Sequence, residues 1–422
     1  MANMAAVRAR LNTWPARSFA TEYDRSSNSF TPMRLVLAVA VLYTHSYAIV
    51  GSKQGDELWR LTHVTMGHLA VVAFFIISGY LVTQSLATGR SSHKFLSFIV
   101  KRGLRIMPGL IVCTIGLSFV VGPFFGHRSL QDYYSFKGGW SPWGYTFDTL
   151  TFNLFSNYFG WHTRLHDAFI NTPMGPAVNG SLWSLRFEVA TYLMLVVGAF
   201  LCRYRLRLYT GILAVAGFGA VVLYHFGVHE LPFRTVWVFK EWDLVLSVTP
   251  YFFVGGAIYA FRNRVPYSAG LAGFLAVVAL LACATTLREI VWVVAVPYLV
   301  LMIGVSKNFA WFDRYFGDYS YGTYIYAWPV QQVVETVLKI KVPDLLFAIA
   351  LPITLALAFV SWHVVEHPAL RLKTRTGGPK PSAAGKTEEE PSPKPSVPEP
   401  LAAPEPLPAP EPLAAPEPLA AP

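Results

Sequence analysis

"RLVLAVAVLYTH", Arg34 to His45, is apolar enough to lie in a bilayer, yet it opens on an arginine and ends on a histidine. The two are eleven residues apart, close to three helical turns, so on a helix they share a face and are separated along the axis by roughly 16 Å. An arginine at the mouth and a histidine deep within, on one stripe, would line a path into the protein. A topology anchor followed by a histidine that ties two helices together is the plainer reading. The rest of the chain has to decide between them.

The chain has 422 residues, of which 54% are hydrophobic and only 14% charged. Soluble domains carry about a quarter charged residues, so this balance belongs to a membrane protein. Apolar runs of the length that crosses a bilayer recur ten times, at about 33–50, 67–87, 106–125, 181–201, 208–226, 244–261, 268–287, 289–305, 319–338 and 345–363. They are continuous rather than alternating, which excludes a β-barrel. The expected fold is all-α, a bundle of about ten transmembrane helices.

The net charge of +10 does not indicate nucleic acid, because of where it lies. Basic residues gather at every second junction: Arg8 to Arg25, Arg90 to Arg105, Arg203 to Arg207, Arg262 and Arg264, Lys307 and Arg314, and Arg371 to Arg375. This is the positive-inside pattern, and it puts both termini in the cytoplasm of a multi-pass protein of the inner membrane. The first apolar run lacks a short basic leader and a cleavage site, so it reads as a retained helix. Cys113, Cys202 and Cys283 have neither metal-ligand nor disulfide-framework spacing, and no metal site is expected.

Three regions follow. Residues 1–30 form a basic, polar lead, residues 31–372 the membrane domain, and residues 373–422 a tail. The tail repeats "EPLAAP" or "EPLPAP" from 399 to 422. Prolines so closely spaced exclude helix and sheet and leave an extended, disordered spacer. The longest loop, 126–180, is extracytoplasmic by parity. Its aromatic, Gly and Pro content suggests a folded cap or interfacial helix rather than a floppy linker.

Ionisable residues within spans are costly and face protein interiors or cavities. His45 is one and Glu188 another. In "NGSLWSLRFEVATYL", Ser181, Ser184, Glu188 and Tyr192 form one polar stripe on a helix. Structural pairing of Glu188 with an arginine, or exposure to a hydrated site, would each satisfy its charge. In "FIVKRGLRIMP", Arg102 and Arg105 share a helical face beside the cytoplasmic start of the third span, at the level of Arg34. They read as topology anchors or as a clamp for several phosphates. The Ser78–Gly79 step permits close helix packing, and Tyr321, Tyr324, Tyr326 and Trp328 supply an aromatic wall.

Taken in order, these segments resemble the acyltransferase-3 family of bacterial membrane acyltransferases over most of residues 30–372. The resemblance rests on the Arg34–His45 spacing, "FFIISGYL" at 74–81, "RGLRIMP" at 102–108, "WSLRFE" at 183–188, "YGTYIYAWPV" at 321–330 and "SWHVVEHP" at 361–368. Many relatives carry a histidine where this chain has Ala327. Some also add a soluble hydrolase-like domain where this chain has its Pro-rich tail. The resemblance implies transfer of an acyl group, most often acetyl, from cytoplasmic acyl-CoA to a hydroxyl of an extracytoplasmic glycan or lipid-linked saccharide. Acyl-CoA would be a co-substrate, with no bound cofactor. His45 would be the general base and Glu188 its orienting partner. Arg34, Arg102 and Arg105 would bind the donor, and Ser78, Ser184, Tyr192 and Tyr324 would line the pocket. A transporter or exporter of a saccharide, without covalent chemistry, is the alternative that ten spans and buried ionisable groups also allow.

Overall fold

The structure, a computed structural model, describes residues 17–88, 94–137, 140–152, 164–165, 168–228 and 242–375. The expected Pro-rich tail beyond 375, the arginines at positions 8, 10 and 90, and part of the long loop lie outside the described residues. What is described is helical. No strand forms among those residues, and two isolated backbone bridges, Ser18 with Pro266 and Arg164 with Ala177, are the extended pairings present there.

The helices run in chain order as α1 (Phe19–Glu22), α2 (Phe30–Ile49), α3 (Glu57–Thr62), α4 (Met66–Thr88) and α5 (Lys94–Ile115). The long loop contributes α6 (Leu130–Ser135) and α7 (Pro142–Leu150). Then come α8 (Trp183–Leu201), α9 (Leu206–His225), α10 (Trp242–Ala260), α11 (Ala269–Ala282) and α12 (Arg288–Val305). The series closes with α13 (Phe312–Tyr315), α14 (Ser320–Leu338), α15 (Pro343–Ser361) and α16 (His367–Arg375).

Among the described residues, eight helices are long and apolar enough to cross a membrane: α2, α4, α5, α8, α9, α10, α12 and α15. Two of the ten expected spans fall short of that standard, for different reasons. The run 268–287 yields α11, whose 14 residues reach only about 21 Å. The run 319–338 yields α14, long enough at 19 residues but carrying the buried polar residues Gln331, Gln332 and Glu335. Gln331 Nε2 donates to Leu42 O at 2.9 Å and Ser46 Oγ at 2.6 Å, and Gln332 Nε2 donates to Ala177 O at 3.0 Å. Protein rather than lipid surrounds these amides: their nitrogens are bonded internally, while their Oε1 atoms are buried without a hydrogen bond among the described residues. The N-terminal lead also departs from expectation. Phe19 is fully buried, edge-on to Tyr267 and Tyr298 at 5.5 Å each, and Tyr267 N donates to Arg17 O at 2.9 Å.

Three local devices position the interior. Pro329 has no N–H to give the carbonyl of Ile325 one turn earlier. Asn179 Nδ2 satisfies that carbonyl at 2.8 Å, tying the end of the long loop to α14. Asp56, fully buried, accepts from the Thr44 hydroxyl at 2.5 Å and from Trp59 N and Met66 N at 3.0 and 2.9 Å. It therefore caps α3 and the positive N-terminal end of α4 together, and ties them to Thr44, the residue before His45. Finally, α4 and α10 meet backbone to backbone, since a Cβ on Gly79 would overlap the carbonyl oxygen of Phe252.

That last contact is testable. Gly79→Ala forces the helices apart and should cost about 1–3 kcal/mol, lowering the thermal midpoint in detergent by several degrees. Gly273→Ala in α11, where a Cβ meets nothing within 4 Å, should leave the midpoint unchanged or slightly raised. Equal midpoints for the two variants would contradict the packing described.

Candidate active site

At the end of the bundle where α2 begins, three arginines surround a small cavity of about 100 Å³. Arg34 comes from α2, and Arg102 and Arg105 from the same face of α5. Arg34 Nη2 and Arg105 Nη2 both bind Asp318 Oδ2, at 2.9 and 2.6 Å. The Asp318 carboxylate also accepts from Ser320 Oγ at 2.5 Å. Burial opposes ionisation of Asp318, but Arg105 and Arg34, helped by Ser320, outweigh it and hold its pKa down at about 2. Arg102 lies differently, with its guanidinium 5.6 Å from the centre of the Tyr192 ring. Glu188 accepts from Ser78 Oγ at 3.1 Å and from the Tyr192 hydroxyl.

A larger cavity of about 720 Å³ lies toward the other end of the same bundle. His45 lines it near the end of α2, with its ring edge-on to Trp328 at 4.8 Å. Its Nδ1 is buried with no hydrogen-bond partner among the described residues. His68, Trp183, Arg164 and Arg186 complete the polar and aromatic part of the wall. The Trp328 indole N–H donates to Ala177 O at 2.9 Å, which pins the long loop beside the histidine. Val71, Leu185 and Tyr324 line both cavities, so the two abut at these side chains. Tyr324 is held there by hydrogen bonds to Ser181 O at 2.6 Å and Ser184 Oγ at 2.8 Å.

The sequence-derived candidates thus divide into two groups. Arg34, Arg102, Arg105, Ser78, Ser184, Glu188, Tyr192 and Tyr324 all line the small cavity. His45 lines the large one. The expected pairing of Glu188 with His45 does not form. The stripe from Ser181 to Tyr192 runs away from His45 along α8, so one turn beyond Ser184 the carboxylate already faces Ser78 and the arginines. Sequence reasoning also passed over Asp318, His68 and Arg164. For Asp318 there was a signal: a carboxylate three residues before the aromatic signature, at the bundle end where the arginines needed a counter-ion.

A helical bundle enclosing two abutting polar cavities is the body of a multi-pass membrane enzyme, and comparison with known proteins gives its kind. Residues 28–363 match the acyltransferase domain model of the acyltransferase-3 family. The chain belongs to this family and is a membrane acyltransferase. It is 28% identical over 350 residues to the "O-acetyl transferase" of Shigella phage Sf6, covering 81% of this chain and 95% of that one. It is 27% identical over 387 residues to "Nodulation protein 10" of Rhizobium leguminosarum bv. viciae, covering 82% of this chain and 94% of that one. No solved structure is significantly similar.

The fork at Asp318 makes a prediction with a sign. Its carboxyl is depressed in the folded state, so its contribution to stability is complete above the ordinary carboxylate pKa and is lost as pH falls toward about 2. Asp318→Asn should lower the thermal midpoint by a constant amount between pH 5 and 8, with the difference from wild type closing near pH 2. Asp318→Ala, which leaves two largely buried arginines without their counter-ion, should cost about 3 kcal/mol. Midpoints unaffected by either change at neutral pH would show that the fork does not hold this end of the bundle.

Proposed function

We propose that the protein moves an acyl group, in the first instance acetyl, from acyl-CoA at the cytoplasmic face of the inner membrane to a hydroxyl of an extracytoplasmic glycan or lipid-linked saccharide. The observation that carries this reading is the pair of abutting cavities, one lined by arginines and one by a histidine, in a chain of the acyltransferase-3 family. The relative named an O-acetyl transferase supports acetyl as the group transferred. With the basic junctions inside, the arginine cavity faces the cytoplasm and the histidine cavity faces outward.

Arg34, Arg102 and Arg105 receive the phosphates of the coenzyme, as guanidinium groups suit phosphate oxygens. Arg102 has no carboxylate partner among the described residues and makes the first contact. Glu188, with Ser78 and Tyr192, shapes the wall along which the pantetheine arm passes toward Tyr324. At the larger cavity His45 Nε2 takes the proton of the acceptor hydroxyl as its oxygen attacks the thioester carbon. The carbon–sulfur bond then breaks, and the coenzyme thiolate leaves and recovers the proton from the imidazolium. Glu188 acts on the donor side, not as the imidazole's partner.

The test uses purified protein in nanodiscs with acetyl-labelled acetyl-CoA and a crude envelope glycan extract as acceptor. Wild type should move label to glycan. His45→Ala should lose about 10²–10⁴-fold in turnover, the usual contribution of a general base, while binding donor as tightly as wild type. Arg102→Ala should raise the donor KM about ten-fold with turnover little changed, as loss of a charge-assisted bond of about 1.4 kcal/mol predicts. Full transfer by His45→Ala, or an unchanged donor KM in Arg102→Ala, would remove the corresponding assignment.

A further inference from the structure

We propose that the larger cavity is an anion-recognition site as well as a reaction chamber: Arg164 holds a carboxylate or phosphate group carried by the saccharide acceptor. This rests on the functional reading above and adds to it the chemical class of the acceptor.

The argument begins from how differently the chain treats its cavity arginines. Arg34 and Arg105 share the Asp318 carboxylate. Arg164 has no such partner among the described residues. Its recorded side-chain contact is the ring of Trp140, 5.9 Å from the guanidinium carbon, and its Nε is buried without a hydrogen bond. Arg164 is half-buried, and a buried guanidinium N–H left without a partner is costly; an anion whose oxygens reach it recovers that cost. The planar fork suits a carboxylate or a phosphate and has little use for an isolated hydroxyl.

The placement of Arg164 is built rather than incidental. Its backbone pairs with Ala177 in an antiparallel bridge, and Leu165 N donates to Pro176 O at 3.1 Å. The Ala177 carbonyl is gripped in turn by Trp328 Nε1 and Gln332 Nε2, at 2.9 and 3.0 Å. Trp328 is the residue whose ring abuts His45. A short, doubly bonded chain of contacts therefore fixes Arg164 relative to the histidine. Charge in the cavity points the same way: Arg164 and Arg186 line it, against Asp148 as the one described acidic residue in its wall. An acceptor anchored at Arg164 by its anion would present a hydroxyl to His45, so Arg164 is a binding and positioning residue and takes no part in the chemistry.

The experiment uses the full chain in nanodiscs, acetyl-labelled acetyl-CoA and the envelope glycan extract in three forms. One is untreated, one has its carboxylates reduced to alcohols, and one has its phosphates removed by mild acid and phosphatase. On the untreated extract, Arg164→Gln should raise the acceptor KM 10- to 100-fold and flatten its dependence on salt, with donor affinity unchanged. Arg164→Lys should fall between. On the form that has lost the recognised anion, wild type should sink to the level of Arg164→Gln and the two should coincide. Coincidence after carboxyl reduction identifies a carboxylate sugar, and coincidence after phosphate removal identifies a phosphate-bearing or lipid-diphosphate acceptor. Unchanged donor affinity shows that the variant is folded. Wild-type transfer with an Arg164→Gln acceptor KM that is unaltered, or raised equally on all three extracts, overturns the inference and leaves the functional reading intact. A wild-type protein that transfers no label to any form overturns both.

Discussion

One carboxylate, Asp318, holds two arginines from different helices at the same oxygen. Without it, Arg34 on α2 and Arg105 on α5 would repel each other at the edge of an apolar bundle, where charges are poorly screened. With it, α2, α5 and the start of α14 are fixed to one another at the end where the small cavity opens. The arrangement also leaves the site only partly neutralised. Three cations meet two carboxylates there, Asp318 and Glu188, and one of the three, Arg102, rests on a tyrosine ring. The same bonds that hold this end of the bundle therefore leave it with a net attraction for anions, which is what a phosphate-bearing donor requires.

At the other end the organising element is α14. Pro329 frees the Ile325 carbonyl, and the chain uses the vacancy: Asn179 binds there, and Trp328 and Gln332 take the Ala177 carbonyl. A helix with these groups cannot face lipid, but it can gather the long loop and α2 around itself. Ala327, where many relatives have histidine, is fully buried in this helix. Packing fills that position, and His45 is left facing the cavity from the opposite wall.

What was legible in the sequence follows the physics of each feature. Helices that meet lipid announce themselves by composition, so eight of the ten expected spans have the length and apolarity of a crossing. α14 shows why hydropathy fails for a helix enclosed by protein, because bonded glutamines count against it. The arginines and the polar stripe of α8 were readable because helical periodicity fixes which residues share a face. Their three-dimensional partners were not. Periodicity aligned Glu188 with Ser184 and Tyr192 correctly, yet it carries no information on which neighbouring helix that face meets. Arg164 was hidden for another reason: it sits in a loop, where neither period nor hydropathy marks a position, and only the bridge to Ala177 brings it to the cavity.

On the proposed reading, the wall shared by the two cavities bears on how a donor from one side of the membrane serves an acceptor on the other. Tyr324 is bonded through its hydroxyl to Ser181 O and Ser184 Oγ, both on the segment that leads into α8. Glu188 lies one turn further along the same helix, held by Ser78 and Tyr192, and Tyr192 stacks beneath Arg102. Two groups of polar contacts, one turn of α8 apart, thus lie between Arg102 and Tyr324, the tyrosine that lines both cavities. On the proposed reading, a donor bound at Arg102 passes the first group to reach the second. The thioester then reaches His45 only by displacing a hydroxyl that donates to Ser181 O and accepts from Ser184 Oγ, and the polar stripe of α8 supplies the replacement partners along the way. A barrier built from exchangeable hydrogen bonds can yield to a polar arm and reseal behind it, which an aliphatic plug at the same place would not do.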